Sequence, residues 1–177
     1  QDVIRTAFIF DPTTVELVGP AKVLVGSAPF ANAREPLAQA FKAVGSPDIE
    51  AFGVIVNHFK SKSATGATGD NLDTGQGGFN GDRVRQAEAL AAFAEDFKTE
   101  RGSEKMFLTG DFNAYSSEDP VQALEGAGYT RIESDTPGEE SYSFSGLSGS
   151  LDHVFANAAA AADVTGADIW DINASEP

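Results

Sequence analysis

Asp111 and Asn113 set a carboxylate and an amide two residues apart, where the segment 105–115 (Lys-Met-Phe-Leu-Thr-Gly-Asp-Phe-Asn-Ala-Tyr) leaves an apolar run. On an extended backbone, residues two apart point the same way, so both side chains are expected to leave the strand together. A carboxylate there can activate a water or hold a cation, and an amide can donate to a phosphate oxygen. The same pair also fits an Asx turn that merely ends a strand. Three further polar groups stand at or beside the ends of apolar strands: Arg34-Glu35-Pro36, Asn57-His58 and Leu151-Asp152-His153.

Strands must carry these residues and helices must cover the sheet. Residues 106–108 form a charge-free apolar run, read as a buried strand, and Gly110 turns the chain. The pattern predicts strands over 3–10, ended by Asp11-Pro12, and over 49–59, with shorter β-like pieces at 15–18 and 22–25 around Gly19-Pro20. Residues 28–33 read as loop, and 37–41 fits strand or helix, with strand the closer fit. The clearest helix covers 82–100: Val84, Ala87, Leu90, Ala91, Ala94 and Phe97 share one face, Asn80 or Asp82 can cap it, and Gly102 follows. A short helix over 121–126 has Asp119 as its cap and Pro120 at its first position. Residues 131–140 read as an acidic loop and 150–156 as a short core strand, while the alanine run 158–162 carries no signal. Residues 61–81 have little to bury and form a long surface loop, of a length that is usually functional or mobile. Asp70, Asn71 and Asp73 in it could offer oxygens to Ca2+, although the full spacing of a calcium loop is absent. No repeat or boundary interrupts the chain, so 1–177 reads as one mixed α/β or α+β sandwich.

At 177 residues, 41% of them hydrophobic, the chain can bury a real core. The absence of cysteine excludes disulfides and thiolate metal sites. No apolar run approaches membrane-spanning length, and no signal peptide or protein partner is evident. The net charge of −15 repels nucleic acid at long range and offers no basic stripe for tight non-specific binding. A phosphodiester substrate would therefore need divalent cations and local Arg and Lys residues.

Taken together and in this order, with Gly-Asp-Phe-Asn-Ala at the centre, the four groups resemble the endonuclease/exonuclease/phosphatase superfamily, the DNase I-like fold. The secreted bacterial nucleases within it are most similar. They share a Val-Asn-His-Phe-Lys-Ser-Lys segment (here 56–62), an Arg-Val-x-Gln-Ala helix opening (83–87), a Gly-x-Leu-Asp-His strand (149–153) and a Trp-x-Ile-Asn-Ala-x-Glu-Pro ending (170–177).

The resemblance implies a four-layer αββα sandwich, of which this chain is the middle and later part. It implies a secreted, extracellular bacterial nuclease acting on DNA or RNA by in-line attack of water, with Mg2+, or Ca2+ or Mn2+, as cofactor. Asp111 would orient or activate the water and bind the metal. Asn113 would hold a phosphate oxygen. His58 would contact the phosphate or protonate the leaving oxygen, and Arg34 and Asn57 would contact substrate. Asp152 would orient a catalytic histidine. His153 reads as a packed strand residue, since the family's catalytic Asp-His pair lies beyond the Asn-Ala-x-Glu-Pro segment. A metal-binding Glu, a phosphate-site Asn and that terminal Asp-His find no match, so the chain is expected to be cut at both ends, to expose apolar faces and to have little activity alone. Two alternatives stay open: a phosphatase or sphingomyelinase-like phosphodiesterase of the same fold, and an acidic secreted binding module without chemistry.

Overall fold

A computed structural model describes residues 4–144 and 147–170. In chain order the elements are β1 (Val15–Val23), β2 (Arg34–Ala43), β3 (Phe52–His58), α1 (Asn80–Arg101), β4 (Lys105–Asp111), α2 (Asp119–Gly126), β5 (Tyr129–Ile132), β6 (Tyr142–Phe144), β7 (Leu147–Gly149), β8 (Asp152–Asn157) and α3 (Ala158–Ala161). Six strands form one sheet in the order β1-β2-β3-β4-β8-β5, and β6 pairs with β7 in a separate hairpin. Only β3 and β4 run parallel within the larger sheet, and α1 makes the crossover that a parallel pair requires.

Burial alternates along the strands and separates two faces. On one, Ala38, Ala40, Ile55, Met106, Leu108 and Phe155 pack with Ala87, Leu90, Phe93, Ala94 and Phe97 of α1 and with Val121 and Leu124 of α2. Gly53 belongs to this contact: a Cβ there would meet Met106 Sδ at 2.5 Å. The other face carries Phe52, Val54, Val56, Phe107 and Val154 and remains partly exposed. The described residues thus provide a mixed α/β fold with one large sheet and helices on one of its faces. No second large sheet of a four-layer sandwich lies among them.

Several local expectations are corrected. Residues 4–10 form no strand and join no ladder; β2, which they touch, is already paired with β1 and β3. They lie against the sheet instead, with Phe8 and Phe10 each 5.4 Å from the Phe41 ring and Thr6 Oγ1 donating to the Glu35 carbonyl. The piece at 15–18 and the first two residues of the piece at 22–25 belong to one strand, β1, whose register shifts between Val18 and Lys22, while 24–25 lie beyond it. Residues 48–50 are a 3-10 turn, so β3 starts at Phe52. Helix α1 is capped by neither Asn80 nor Asp82: its Asp82 N–H donates to the Asn71 side chain from the preceding loop. Asp119 likewise lies inside α2 and caps nothing with its side chain. Strand β5 occupies the start of the expected acidic loop. Val3 and residues 171–177, which include most of the Trp170-to-Pro177 ending, lie outside the described residues.

The loop 61–79 is tied down by buried polar groups. Arg83, fully buried, donates to the carbonyls of Gly78, Gln76 and Lys60. Lys62 reaches the Gln76 carbonyl and both oxygens of Glu118, whose carboxylate also accepts from Tyr115 N–H. Burial pushes the Lys62 ammonium below its usual range, and Glu118 pulls it back.

Candidate active site

Arg34, His58, Asp111 and Asp152 form one row across four neighbouring strands. Arg34 pairs with His58, His58 with Asp111, and Asp111 with Asp152 in the ladder register. Register partners project to the same face, and here it is the face opposite α1. Neighbouring strands lie about 4.8 Å apart, so the four side chains start out side by side. His58 Nε2 stands 3.4 Å from Asp111 Oδ2. Gly110 makes this approach possible. Its φ is +134°, and a Cβ on it would fall 2.1 Å from the Asn57 carbonyl oxygen of the adjoining parallel strand. Only glycine lets β3 and β4 close up at that point.

Past Asp111 the chain does not stay extended. β4 ends there, Asn113 takes a left-handed φ of +48°, and its N–H donates to Asp111 Oδ1 at 2.8 Å. This is the Asx turn that the sequence left open, so the two side chains do not share a strand face. They remain adjacent through other bonds. Asn113 Nδ2 donates to the Phe59 carbonyl, and Phe59 N–H donates to the Asp111 carbonyl, which joins the exits of β3 and β4. Asn113 is largely buried.

Asn57 is not part of the row. It alternates with His58, lies buried on the α1 side, and its Nδ2 is spent on the Thr109 carbonyl at 2.9 Å. His153 alternates with Asp152 in the same way. It is packed, as read from the sequence, between the rings of Phe112 and Phe155, and burial holds its imidazole below the ordinary value. Ser141 gave no sequence signal. Its Oγ donates to Asp152 Oδ2 and accepts from the N–H groups of Leu151 and Asp152, fixing that carboxylate at the end of the row.

Burial raises the Asp111 carboxyl above its usual range; the Asn113 N–H and then His58 pull it down, Asp152 pushes it up and Arg34 pulls it down again. Such a carboxylate is a better proton acceptor than an exposed one, and it calls for a cation nearby. The described residues do not supply a complete cation site. No three His, Cys, Asp or Glu residues among them converge on one point, so they do not by themselves fit a divalent ion. The loop residues named for calcium have protein partners: Asp70 is paired with Arg85, Asn71 caps α1, and Asp73 accepts from Gly75 and Gly77 N–H.

Space flanks the row at both ends. A cleft of about 820 Å³ borders Asp152, Thr109 and Gly110, and a smaller one of about 310 Å³ borders Arg34 and Glu35. Between them the row offers two cationic or hydrogen-bonding side chains and two carboxylates. That arrangement can grip an anion with Arg34 and His58 and present Asp111 to a water beside it.

Solved structures share this fold. An endonuclease/exonuclease/phosphatase family protein from Bacteroides thetaiotaomicron superposes with a TM-score of 0.60 at 13% identity, over 84% of this chain and 54% of that one. The catalytic domain of human nocturnin, with bound sulfate, gives 0.58 at 18% identity, over 84% and 50%. A mannosyl-6-phosphatase from Bacteroides thetaiotaomicron gives 0.55 at 15% identity, over 84% and 55%. The chain therefore spans about half the length of the structures it matches. No curated protein sequence matches it. Over residues 4–174 the chain matches the model of one family, and it belongs to that family, the Endonuclease/Exonuclease/phosphatase family.

Proposed function

We propose that this chain carries the phosphate-handling half of a phosphoester hydrolase, and that the whole protein is a secreted nuclease cleaving DNA or RNA. The observation that carries this is the row itself, four residues from four strands placed in register on one face. Arg34 and His58 would hold non-bridging oxygens of the phosphate, and Asn113 would donate to another with the Nδ2 hydrogen that it does not give to the Phe59 carbonyl. Asp111 would take the proton of the attacking water. As the new P–O bond forms in line, the bond to the leaving oxygen breaks, and that oxygen takes a proton from His58 or from solvent. Asp152, steadied by Ser141, would orient a histidine. Dependence on Mg2+, or on Ca2+ or Mn2+, belongs to the same proposal, with Asp111 as the one ligand assigned here.

A phosphatase acting on a small phosphomonoester is the second reading. The net charge of −15 favours it, because a small phosphate meets less of the repelling field than a polynucleotide does. One titration separates the readings. The isotope-labelled chain is titrated with the dinucleotide TpT, with mannose 6-phosphate and with inorganic phosphate, each with and without Mg2+. The nuclease reading expects TpT to bind most tightly and to move the amides of Arg34, His58, Asp111 and Asn113, with the effect lost in Arg34→Ala. Tighter binding of the monoester selects the phosphatase. Shifts confined to other parts of the sheet would remove both.

A further inference from the structure

The turn that carries Asp111 and Asn113 is held from a side that the proposed chemistry leaves untouched. Strand β8 places Asp152 in the row and sends the next residue, His153, to the opposite face. There the His153 ring lies 5.8 Å from the Phe112 ring and 5.8 Å from the Phe155 ring, with 5% of the residue exposed. Its Nε2 is 2.8 Å from the carbonyl oxygen of Ala114. A carbonyl only accepts, so Nε2 must carry the hydrogen. Ala114 is fully buried, and water cannot take over if the imidazole is lost.

Asn113 needs that support. It sits in the sparsely populated left-handed region, where a residue stays only when its surroundings hold it. Two of the bonds that hold it come from the site itself: its N–H to Asp111 Oδ1 and its Nδ2 to the Phe59 carbonyl. A third brace, Phe112 N–H to the Leu151 carbonyl, ties the turn to the entry of β8. The His153 bond closes the turn at Ala114, one residue beyond Asn113. With glycine at 110 permitting the turn and β8 bracing it, the carboxylate and the amide are held in part by groups that are not members of the row.

We infer that His153 is a positioning residue, whose Nε2–H on the Ala114 carbonyl holds the Asp111–Asn113 turn in the shape that phosphate binding requires. This rests on the reading of Asp111 and Asn113 as site residues and deepens it. What matters is the donor and not the ring. In Gln the side-chain nitrogen stands as many bonds from Cβ as Nε2 does in His, so His153→Gln can keep the bond. His153→Phe keeps the ring and loses it.

The test is amide hydrogen exchange and ring-nitrogen NMR on the unsubstituted chain and both variants, with TpT affinity as a second readout. In the unsubstituted chain, the ring shifts should show a neutral Nε2–H tautomer. In His153→Phe, the Asn113 amide should exchange about tenfold faster, while the Ile55 and Leu108 amides of the central strands keep their protection. TpT affinity should fall about tenfold with the fold intact. His153→Gln should restore both. A general loosening would instead speed every core amide together and would overturn the inference. An Nδ1–H tautomer, or an unchanged Asn113 amide in the Phe variant, would do the same. Should the Phe variant not fold, the tautomer and the Gln variant still decide. The exchange readout needs no phosphate: if the chain binds no TpT yet Asn113 responds as stated, the phosphate reading fails and the bracing of the turn stands.

Discussion

Replacing Gly110 with alanine tests whether the site depends on the close approach of β3 and β4. Two costs add. A non-glycine residue at φ +134° is strained, by about 1–3 kcal/mol. The new Cβ would also lie 2.1 Å from the Asn57 carbonyl, against about 3.3 Å for a normal C···O contact. That oxygen is backbone in a strand paired on both sides, so it cannot swing away, and the strands must part by more than about 1 Å. Overpacking of this kind costs about 1–3 kcal/mol. Together the loss is about 4 kcal/mol, and with a urea m-value of about 2 kcal/mol/M the midpoint should fall by about 2 M. Gly102→Ala is the control. Its φ is +63° and no atom lies within 4 Å of the added Cβ, so it should lose only about 0.5 M through backbone strain of about 1 kcal/mol. The widened gap should also separate His58 from Asp111 and weaken TpT binding under conditions where Gly110→Ala remains folded. Equal midpoints for the two variants, or a Gly110→Ala midpoint within about 0.5 M of the unsubstituted chain, would refute the reasoning.

Three further experiments probe the electrostatics. Glu118→Ala strips the carboxylate from the Lys62 ammonium, which stays largely buried next to Arg83; breaking a buried pair on one side should cost about 3 kcal/mol, and Lys62→Met in the same chain should return a large part of the lost urea midpoint. Arg83→Met leaves the carbonyls of Gly78 and Lys60 without their side-chain donor and the Gln76 carbonyl with Lys62 alone; a loss of about 3 kcal/mol is expected, with new proteolytic cuts confined to residues 61–79. Asp111→Asn bears on pH. Because burial raises the Asp111 carboxyl in the folded chain, the folded state holds its proton where the unfolded state has released it. Stability therefore falls as pH rises from the ordinary carboxylate range through the raised folded value. Asp111→Asn should flatten that fall and raise the urea midpoint at pH 7, and a midpoint that drops at pH 7 would contradict the assignment.

Much of this arrangement could be read from residue order, and the exceptions have physical causes. Strands β3 and β4 and helix α1 were visible because their apolar spacing is strong and each buries a full face. Residues 3–10 carry the same β signal, yet Phe8 and Phe10 spend it on the Phe41 ring, packing over β2, whose two edges are taken. The α1 cap was misplaced because the acceptor is not at the helix start: Asn71 folds back onto it from the preceding loop. Arg34, His58, Asp111 and Asp152 were each weak alone; their register, set by the ladders, joins them. Asn57 shows the limit of adjacency, since a strand sends neighbours to opposite faces. Asp-x-Asn fits both an extended pair and an Asx turn, and the left-handed Asn113 with glycine before Asp111 decides for the turn. Ser141 was invisible, as a serine in a loop announces nothing about the carboxylate it will meet.

The row draws one side chain from each of four strands, scattered from residue 34 to residue 152, and no short stretch of chain holds two of them. Loop closures that distant come late, after local helices and hairpins have formed. The Arg34–His58 pair needs only the neighbouring strands β2 and β3, but the complete row exists only once the sheet is zipped from β2 to β8. Return of the His58–Asp111 contact during refolding is thus a clock for the joining of β3 to β4, and that of the Asp111–Asp152 pairing for the joining of β8.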